Sequence, residues 1–306
     1  MENLKGQGRN LRVMASNFAI QSKLQATDMH FKRRKAADRI ATVALTACAA
    51  VTVSLLLVIL GYIFYKGITH IDWHFVTSLP KPAGEPDGGI SNALAGSLII
   101  VALASLMAMP IGIGTAIFLN EFPSFWAGRA IRFLADVLTA VPSIVIGLAV
   151  YSLVVTPMKG FSGLSGAVAY AFIMIPIIVI TAQEALRLVP STLREASLAL
   201  GVPRWRTILR IVLPVSSRAL MTGLILAVAR AMGETAPMLF TSFGNSFWNT
   251  DLSKPMATVP VVIYRYATGP YDDWHAQAWA AAFILVVVIL LASIITRFVI
   301  RSKFDE

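Results

Sequence analysis

An arginine and a glutamate, Arg230 and Glu234, stand four residues apart within one apolar stretch of the sequence. In a helix this spacing puts both side chains on one face, where the guanidinium and the carboxylate can pair. A guanidinium also offers planar, paired donors that match the oxygens of an oxyanion such as phosphate. The stretch therefore predicts one of two things: an ion pair that only neutralises Arg230, or an anion contact whose arginine is held by Glu234.

A second region with chemical potential is the polar block "REASLALGVPRWRTILRIVLP" at 194–214, which lies between long apolar runs. Its pattern predicts a first helix with Ser191 as the N-cap, ended by Gly201. A second helix is predicted from Pro203 to Pro214. Such a helical hairpin could lie on a membrane surface or dock onto a soluble partner.

The composition indicates what surrounds these two regions. The chain has 306 residues, of which 57% are hydrophobic and 14% charged, whereas soluble domains carry about 25% charged residues. Strand-like alternation of apolar and polar residues is absent, so we expect an all-α polytopic membrane protein. The single cysteine, Cys48, excludes an internal disulfide and CxxC chemistry.

Apolar windows of about 19 residues predict six transmembrane helices. The first follows nearly forty polar residues, too many for a signal peptide, so we expect it to be uncleaved. A basic tail at 1–39 would precede a six-span domain at 40–301, and a short tail at 302–306 would follow it. The spans are predicted at about 40–65, 93–119, 131–156, 164–185, 216–241 and 276–299, with the polar loop at 186–214.

The distribution of Lys and Arg predicts the orientation in the membrane. With the amino terminus inside, twenty of the 26 basic residues lie in inner segments and five in outer ones, as the positive-inside rule requires. Both termini and the 194–214 block are therefore predicted to be cytoplasmic. The loops at 66–92 and 242–275 are predicted to be outside, and most of their tryptophans are typical of an interfacial aromatic belt.

Proline and glycine residues interrupt several predicted spans. Pro110, Pro142 and Pro176 lie within spans two, three and four, where we expect static kinks. Gly233 and Pro237 flank the Glu234 position and weaken the helix there.

The 194–214 block resembles the EAA loop of ABC importer permeases. Glu195-Ala196-Ser197 is followed by three residues, Gly201, nine residues and Ile211-Val212-Leu213-Pro214. Only Ser197 departs from the family pattern, which has alanine there. The resemblance implies the type I ABC importer permease fold and a loop that docks onto a separate ATPase. It implies contacts to that ATPase from Arg194, Glu195, Ala196, Ser197, Gly201, Arg204 and Arg206.

A further stretch, "ARAMGETAPMLFTSFGNSFWN" at 229–249, resembles the PstA-type permeases of phosphate-specific (Pst) importers, and the likeness runs from the first span to the carboxyl terminus. It implies a multi-pass protein of the bacterial inner membrane with Arg230, Glu234 and Thr235 along the substrate pathway. The implied partners are a homologous PstC-type permease, a PstB-type ATPase dimer that binds ATP and Mg, and an extracytoplasmic PstS-type phosphate-binding protein. We expect no cofactor or metal in this chain.

Other classes of protein fit the sequence less well. The stretch "GFSGLSG" at 160–166 contains GxSG, as intramembrane serine proteases do, but all four histidines lie in the tail or outer loops and a Gly-Ser turn explains it. The chain has neither an HExxH motif nor a GxxxxGK[ST] phosphate loop, so it would not hydrolyse ATP itself. An importer of another oxyanion, molybdate or sulfate, stays open, as does an ion-coupled secondary transporter.

Overall fold

The computed structural model describes the backbone of residues 2–85, 88–122 and 125–302, and the side chains of those from 34 to 295. Throughout these ranges the regular structure is helical, which confirms the all-α prediction. The chain divides into two compact units, one ending at Tyr62 and one beginning at Ile63.

The first unit is a single helix. Helix α1 (Glu2–Gly67) contains an apolar portion from Arg34 onward, and the most apolar 18 residues of this portion have a mean hydropathy of 2.7. From residue 34 to residue 59 the side chains are exposed on all sides of the helix; Leu45 and Val58, for example, are 72% and 68% exposed. The hydroxyls of Thr42 and Thr46 donate to carbonyls four residues earlier, at 2.9 and 2.8 Å, so their polar atoms are satisfied within the helix. Such a helix is suited to lipid.

The second unit contains the remaining helices. A 3₁₀ turn (Ile68–His70) and α2 (Trp73–Thr77) precede α3 (Ser91–Glu121), α4 (Trp126–Ala140) and α5 (Ser143–Val150). A π-helical segment (Tyr151–Val155) and α6 (Thr156–Met158) lead to α7 (Gly163–Arg187). Helices α8 (Ser191–Ala199) and α9 (Arg204–Thr207), a second π segment (Ile208–Val212), α10 (Leu213–Gly233), α11 (Ala236–Thr241), α12 (Val259–Ala267) and α13 (Asp272–Ser302) complete the order.

The third predicted span, 131–156, is not one straight helix. Five described helices are long and apolar enough to cross a membrane, and a sixth candidate is the pair formed by α4 and the helical stretch from Ser143 to Met158, bent by 105°. Val141 and Pro142 between them have extended ψ angles of 129° and 134°. The expected static kink at Pro142 is therefore a complete break, because proline disfavours helical geometry at the residue before it. Pro110 and Pro176 stay inside continuous helices.

The fifth predicted span, 216–241, is shifted. The helical stretch begins at Arg204, passes through Pro214 and ends at Gly233, so the prediction that the second hairpin helix ends at Pro214 is wrong. Pro214 directly follows the π segment, and such a local π adjustment is one way in which a continuous membrane helix accommodates a proline. Ser191 is also not the N-cap: it is the first residue of α8, and Pro190 precedes it without a side-chain cap.

Helix α7 forms the centre of the second unit, and 67% of its most apolar 18 residues are buried. It packs against α3 and α10. Gly112 of α3 lies so close to α7 that a Cβ there would meet the side chain of Ile178 at 2.6 Å. This close approach buries the middle of both helices and fixes the frame on which the broken third span and the end of α10 are held.

Candidate functional site

Arg230 and Glu234 do not share a helix, contrary to the prediction. Helix α10 ends at Gly233, and Glu234 has an extended backbone with φ −82° and ψ 119°. Pro237 lacks the N–H that would bond the Gly233 carbonyl, and glycine is a weak helix former, so the helix stops between them. The two charges still pair, with Arg230 Nη2 3.3 Å from Glu234 Oε1.

The pair is asymmetric in its surroundings. The backbone N–H of Glu234 donates to the Ala231 carbonyl at 3.1 Å, and its carbonyl accepts from the Tyr170 hydroxyl at 3.0 Å. Tyr170 itself is 1% exposed within α7. The Glu234 side chain is 17% exposed and that of Arg230 58%. Glu234 is thus a fixed partner, and the guanidinium has an open side.

Arg230 lines a cavity of about 270 Å³ formed by the two halves of the broken third span, α7 and α10. Leu138, Ile173 and Leu226 are among its apolar wall residues, and Thr139 and Ser143 supply hydroxyls. Glu234 does not line the cavity but pairs with Arg230, which does. Thr235 stands just before α11 and is outside the wall as well.

The break in the third span adds two features that favour an anion. Ser143 is the first residue of α5, and a helix start carries unpaired N–H groups and a partial positive charge. In the described part of the chain the Ser143 hydroxyl has no hydrogen-bond partner, whereas Thr139 donates to the Asp136 carbonyl at 2.6 Å. Our sequence reasoning missed both hydroxyls; a proline-interrupted apolar segment was the signal that could have found them.

Helix α5 is held in place by α11. A Cβ on Gly147 would meet Cα of Pro237 at 2.7 Å, so the two backbones are in direct contact. The broken third span and the segment after Glu234 therefore form one packed unit around the cavity.

The 194–214 block folds as a hairpin that we call the coupling hairpin, made of α8, a turn and α9 with the π segment that follows. Gly201 in the turn has φ +76°, a left-handed conformation that glycine adopts without strain, and it follows the end of α8 as predicted. Glu195 and Ala196 on α8 and Arg204 and Arg206 on α9 are exposed.

Arg194 and Ser197 point into the protein instead. Arg194 Nη1 lies 2.6 Å from Glu121 Oε1 at the end of α3, and its Nη2 donates to the Leu186 carbonyl at 3.0 Å. The Ser197 hydroxyl, on a residue that is 4% exposed, is 2.8 Å from the Thr207 hydroxyl. Both residues were predicted to contact the ATPase. Arg194 instead joins the coupling hairpin to α3, and Ser197 joins α8 to α9.

We call the Arg194–Glu121 ion pair the clasp. The two side chains are 22% and 17% exposed. Glu121 was not among our predicted site residues, because a glutamate at the end of an apolar span is ordinary and its partner is 73 positions away.

The coupling hairpin also presents large apolar side chains. An exposed apolar patch next to arginines is typical of a protein–protein contact. The exposed fractions are 42% for Leu198, 84% for Leu200, 58% for Trp205 and 55% for Leu209.

Comparisons with known proteins agree with this architecture. The family model of the binding-protein-dependent transport system inner membrane component matches residues 108–304. The phosphate transport system permease protein PstA of Yersinia pestis is 39% identical over 93% of this chain and 98% of its own length. The PstA of Haemophilus influenzae is 42% identical over 80% of this chain and 87% of its own.

Solved structures share the fold. A chain of the MetNI methionine ABC transporter has a TM-score of 0.58 at 16% identity, covering 70% of this chain and 96% of its own. A chain of a bacterial ABC transporter for the acidic polysaccharide alginate has the same TM-score and identity, covering 85% and 96%. This chain therefore belongs to the binding-protein-dependent transport system inner membrane components, and within them to the PstA-type permeases, as a multi-pass inner-membrane subunit of an ABC importer.

Proposed function

We propose that this chain is a transmembrane subunit of an ATP-driven importer that moves inorganic phosphate across a bacterial inner membrane. The observation that carries the proposal is Arg230, whose half-exposed guanidinium lines a cavity beside a broken helix. The relatives named as phosphate transport permeases support this cargo. A guanidinium, a free hydroxyl and a helix start are groups that favour an oxyanion.

Arg230 would bind two phosphate oxygens through its paired N–H groups. Glu234, 3.3 Å behind it, would hold the fork in place and compete for it, so that the anion is bound but also released. The apolar walls limit water in the cavity, which strengthens the contact while phosphate passes. Thr235, at the start of α11, would help to position Glu234 rather than touch the anion.

Transport would require partners on both sides of the membrane. A PstC-type permease would complete the pathway, a PstS-type protein would deliver phosphate from outside, and a PstB-type ATPase dimer would bind ATP and Mg. This chain would hold no nucleotide. The exposed residues of the coupling hairpin, with Glu195 and Ala196 on α8 and Arg204 and Arg206 after the Gly201 turn, would contact the ATPase. Arg194 and Ser197 would keep the hairpin in shape.

The proposal is tested by labelled phosphate uptake in cells that lack this permease and receive its whole operon. Glu195→Lys reverses the charge of an exposed residue of the coupling hairpin, so we expect uptake to fall at least tenfold and the ATPase to be lost on purification. Glu85→Lys makes the same change at an exposed position in the loop before α3 and should leave uptake within twofold.

Two outcomes would contradict the proposal. Absence of phosphate uptake with the wild-type chain and the ATPase still bound would discard phosphate as cargo, and molybdate and sulfate uptake would then be measured. Full uptake with Glu195→Lys would discard the coupling role of that residue.

A further inference from the structure

The carbonyl oxygen of Glu234 lacks its helical partner. In a continuous helix it would accept from the N–H of Met238, four residues later, but that N–H donates to the Thr235 carbonyl at 3.1 Å. The oxygen accepts instead from the Tyr170 hydroxyl at 3.0 Å, across 64 positions of the sequence. A side chain of α7 thus satisfies the backbone at the point where α10 has ended.

Tyr170 is a buried residue that does not itself line the cavity. It is 1% exposed and belongs to the central apolar cluster, which also contains Val150 and Met238. Ile173, three residues further along α7, is a wall residue of the cavity, whereas Tyr170 is not. A buried hydroxyl without a hydrogen bond destabilises a protein, so Tyr170 and the Glu234 carbonyl fix each other. Tyr170 therefore acts on the cavity through Glu234 and not by touching an anion.

A second side chain of α7 fixes the far end of α11. The carbonyl of Thr241, the last residue of α11, accepts from the Ser165 hydroxyl at 2.8 Å and from the Ser162 N–H at 3.1 Å. Ser165 is fully buried and lies outside the cavity wall. The segment 234–241 is therefore held to α7 at both ends, but only the Tyr170 bond falls on the residue that pairs with Arg230.

Two hydrogen bonds orient the backbone of Glu234. Its N–H donates to the Ala231 carbonyl at 3.1 Å, and its carbonyl accepts from Tyr170. Together they fix the peptide groups on both sides of its Cα, from which the carboxylate extends to lie 3.3 Å from Arg230 Nη2. Without the hydroxyl, the peptide group after Glu234 would have no helical bond to prevent its rotation. The carboxylate would then be held less firmly against the guanidinium.

We propose that Tyr170 is a positioning residue for transport: its hydroxyl holds Glu234 against Arg230, so that the carboxylate competes with the bound anion and promotes its release. The inference rests on the proposed function, in which Arg230 binds phosphate. Loss of the hydroxyl slows release but leaves the coupling hairpin intact. ATP hydrolysis then continues while part of the phosphate stays on Arg230, so fewer phosphate ions are moved per ATP.

The test uses the assembled importer in proteoliposomes with the phosphate-loaded binding protein, and measures labelled phosphate transported and ATP hydrolysed in the same sample. Tyr170→Phe removes only the hydroxyl, so we expect the phosphate moved per ATP to fall at least threefold. Ser165→Ala is the matched control, since it also removes one buried hydroxyl that bonds a carbonyl of the same segment. Both variants should lower the apparent Tm, but Ser165→Ala should keep the phosphate moved per ATP near the wild-type value.

A second variant keeps the inference open to refutation if Tyr170→Phe does not assemble. Glu234→Gln leaves the Tyr170 bond in place but removes the competing charge, so it should also lower the phosphate moved per ATP; a wild-type ratio would overturn the inference. Equal ratios for Tyr170→Phe and Ser165→Ala would overturn it too, because a purely structural bond changes stability and not coupling. In both cases the importer stands, whereas a wild-type complex that moves no phosphate would overturn the proposed function itself.

Discussion

Arg230 combines two properties at the scale of a single residue: an ion pair on one side and an open cavity on the other. The carboxylate of Glu234 compensates the cost of placing an arginine in a span, while 58% of the arginine side chain stays exposed. A lysine at this position would keep the charge but lose the planar pair of donors. The identity of the residue, beyond its charge, should therefore matter for transport.

We expect Arg230→Lys to insert and assemble but to lower phosphate uptake about tenfold or more, because one charge-assisted hydrogen bond contributes about 1.5–3 kcal/mol. Labelled uptake in complemented cells, normalised to the amount of assembled complex, measures it. Arg218→Lys makes the same exchange on α10 away from the cavity wall and should transport normally. Uptake by Arg230→Lys equal to that of Arg218→Lys would refute the bidentate contact.

At the scale of elements, the clasp joins the end of α3 to the first helix of the coupling hairpin. Its charges are only about a fifth exposed, at 22% and 17%, so removal of one leaves the other poorly solvated. Fully buried pairs lose 3–5 kcal/mol when one partner is removed, and the partial exposure here reduces the expected loss to about 2 kcal/mol. The clasp should therefore stabilise the hairpin and transmit its movement.

We expect Glu121→Gln to lower the apparent Tm of the purified permease by several degrees and to reduce uptake. Glu184→Gln is the control, since the Glu184 side chain is 55% exposed and those of its partners Arg187 and Arg132 are 51% and 36% exposed, and exposed pairs contribute under about 1 kcal/mol. Thermal unfolding in detergent compares the two. Equal Tm shifts would mean that the clasp is an ordinary surface pair. A double variant that swaps the two charges, Glu121→Arg with Arg194→Glu, should recover part of the loss.

For the whole molecule, helix α3 runs from the region of α2 to the coupling hairpin, and its two ends are predicted to face different compartments. The distribution of basic residues predicts which end is inside. Trp73 in α2 lies near the start of α3, and Trp126 at the start of α4 lies near the end of α3. Their side chains are 81% and 69% exposed. These two tryptophans offer matched probes of orientation.

In a Cys48→Ser background, we expect a membrane-impermeant maleimide to label Trp73→Cys in intact cells and Trp126→Cys only after permeabilisation. Mass-shift labelling on gels measures the two. The reverse pattern would invert the predicted orientation and place the coupling hairpin outside, where no ATP is present.

The sequence by itself determined the all-helical class, the approximate positions of the long helices and much of their chemistry. Apolar runs predict the long helices, because about 20 apolar residues suffice to cross a membrane. Gly201 predicted the end of α8, because the left-handed turn needs glycine, and the spacing from Glu195 to Pro214 indicated the family. These signals are local: each depends on residues within one or two turns of helix or on composition along one segment.

The tertiary structure decided how those elements meet. The 105° break at Pro142 and the end of α10 at Gly233 depend on which of the alternative contacts between helices are more stable, since proline and glycine only permit such breaks. The clasp joins residues 73 positions apart, and Asn92 reaches Asn245 across 153. Hydropathy carries no information about such pairs, because they form only when packing around α7 brings distant ends together.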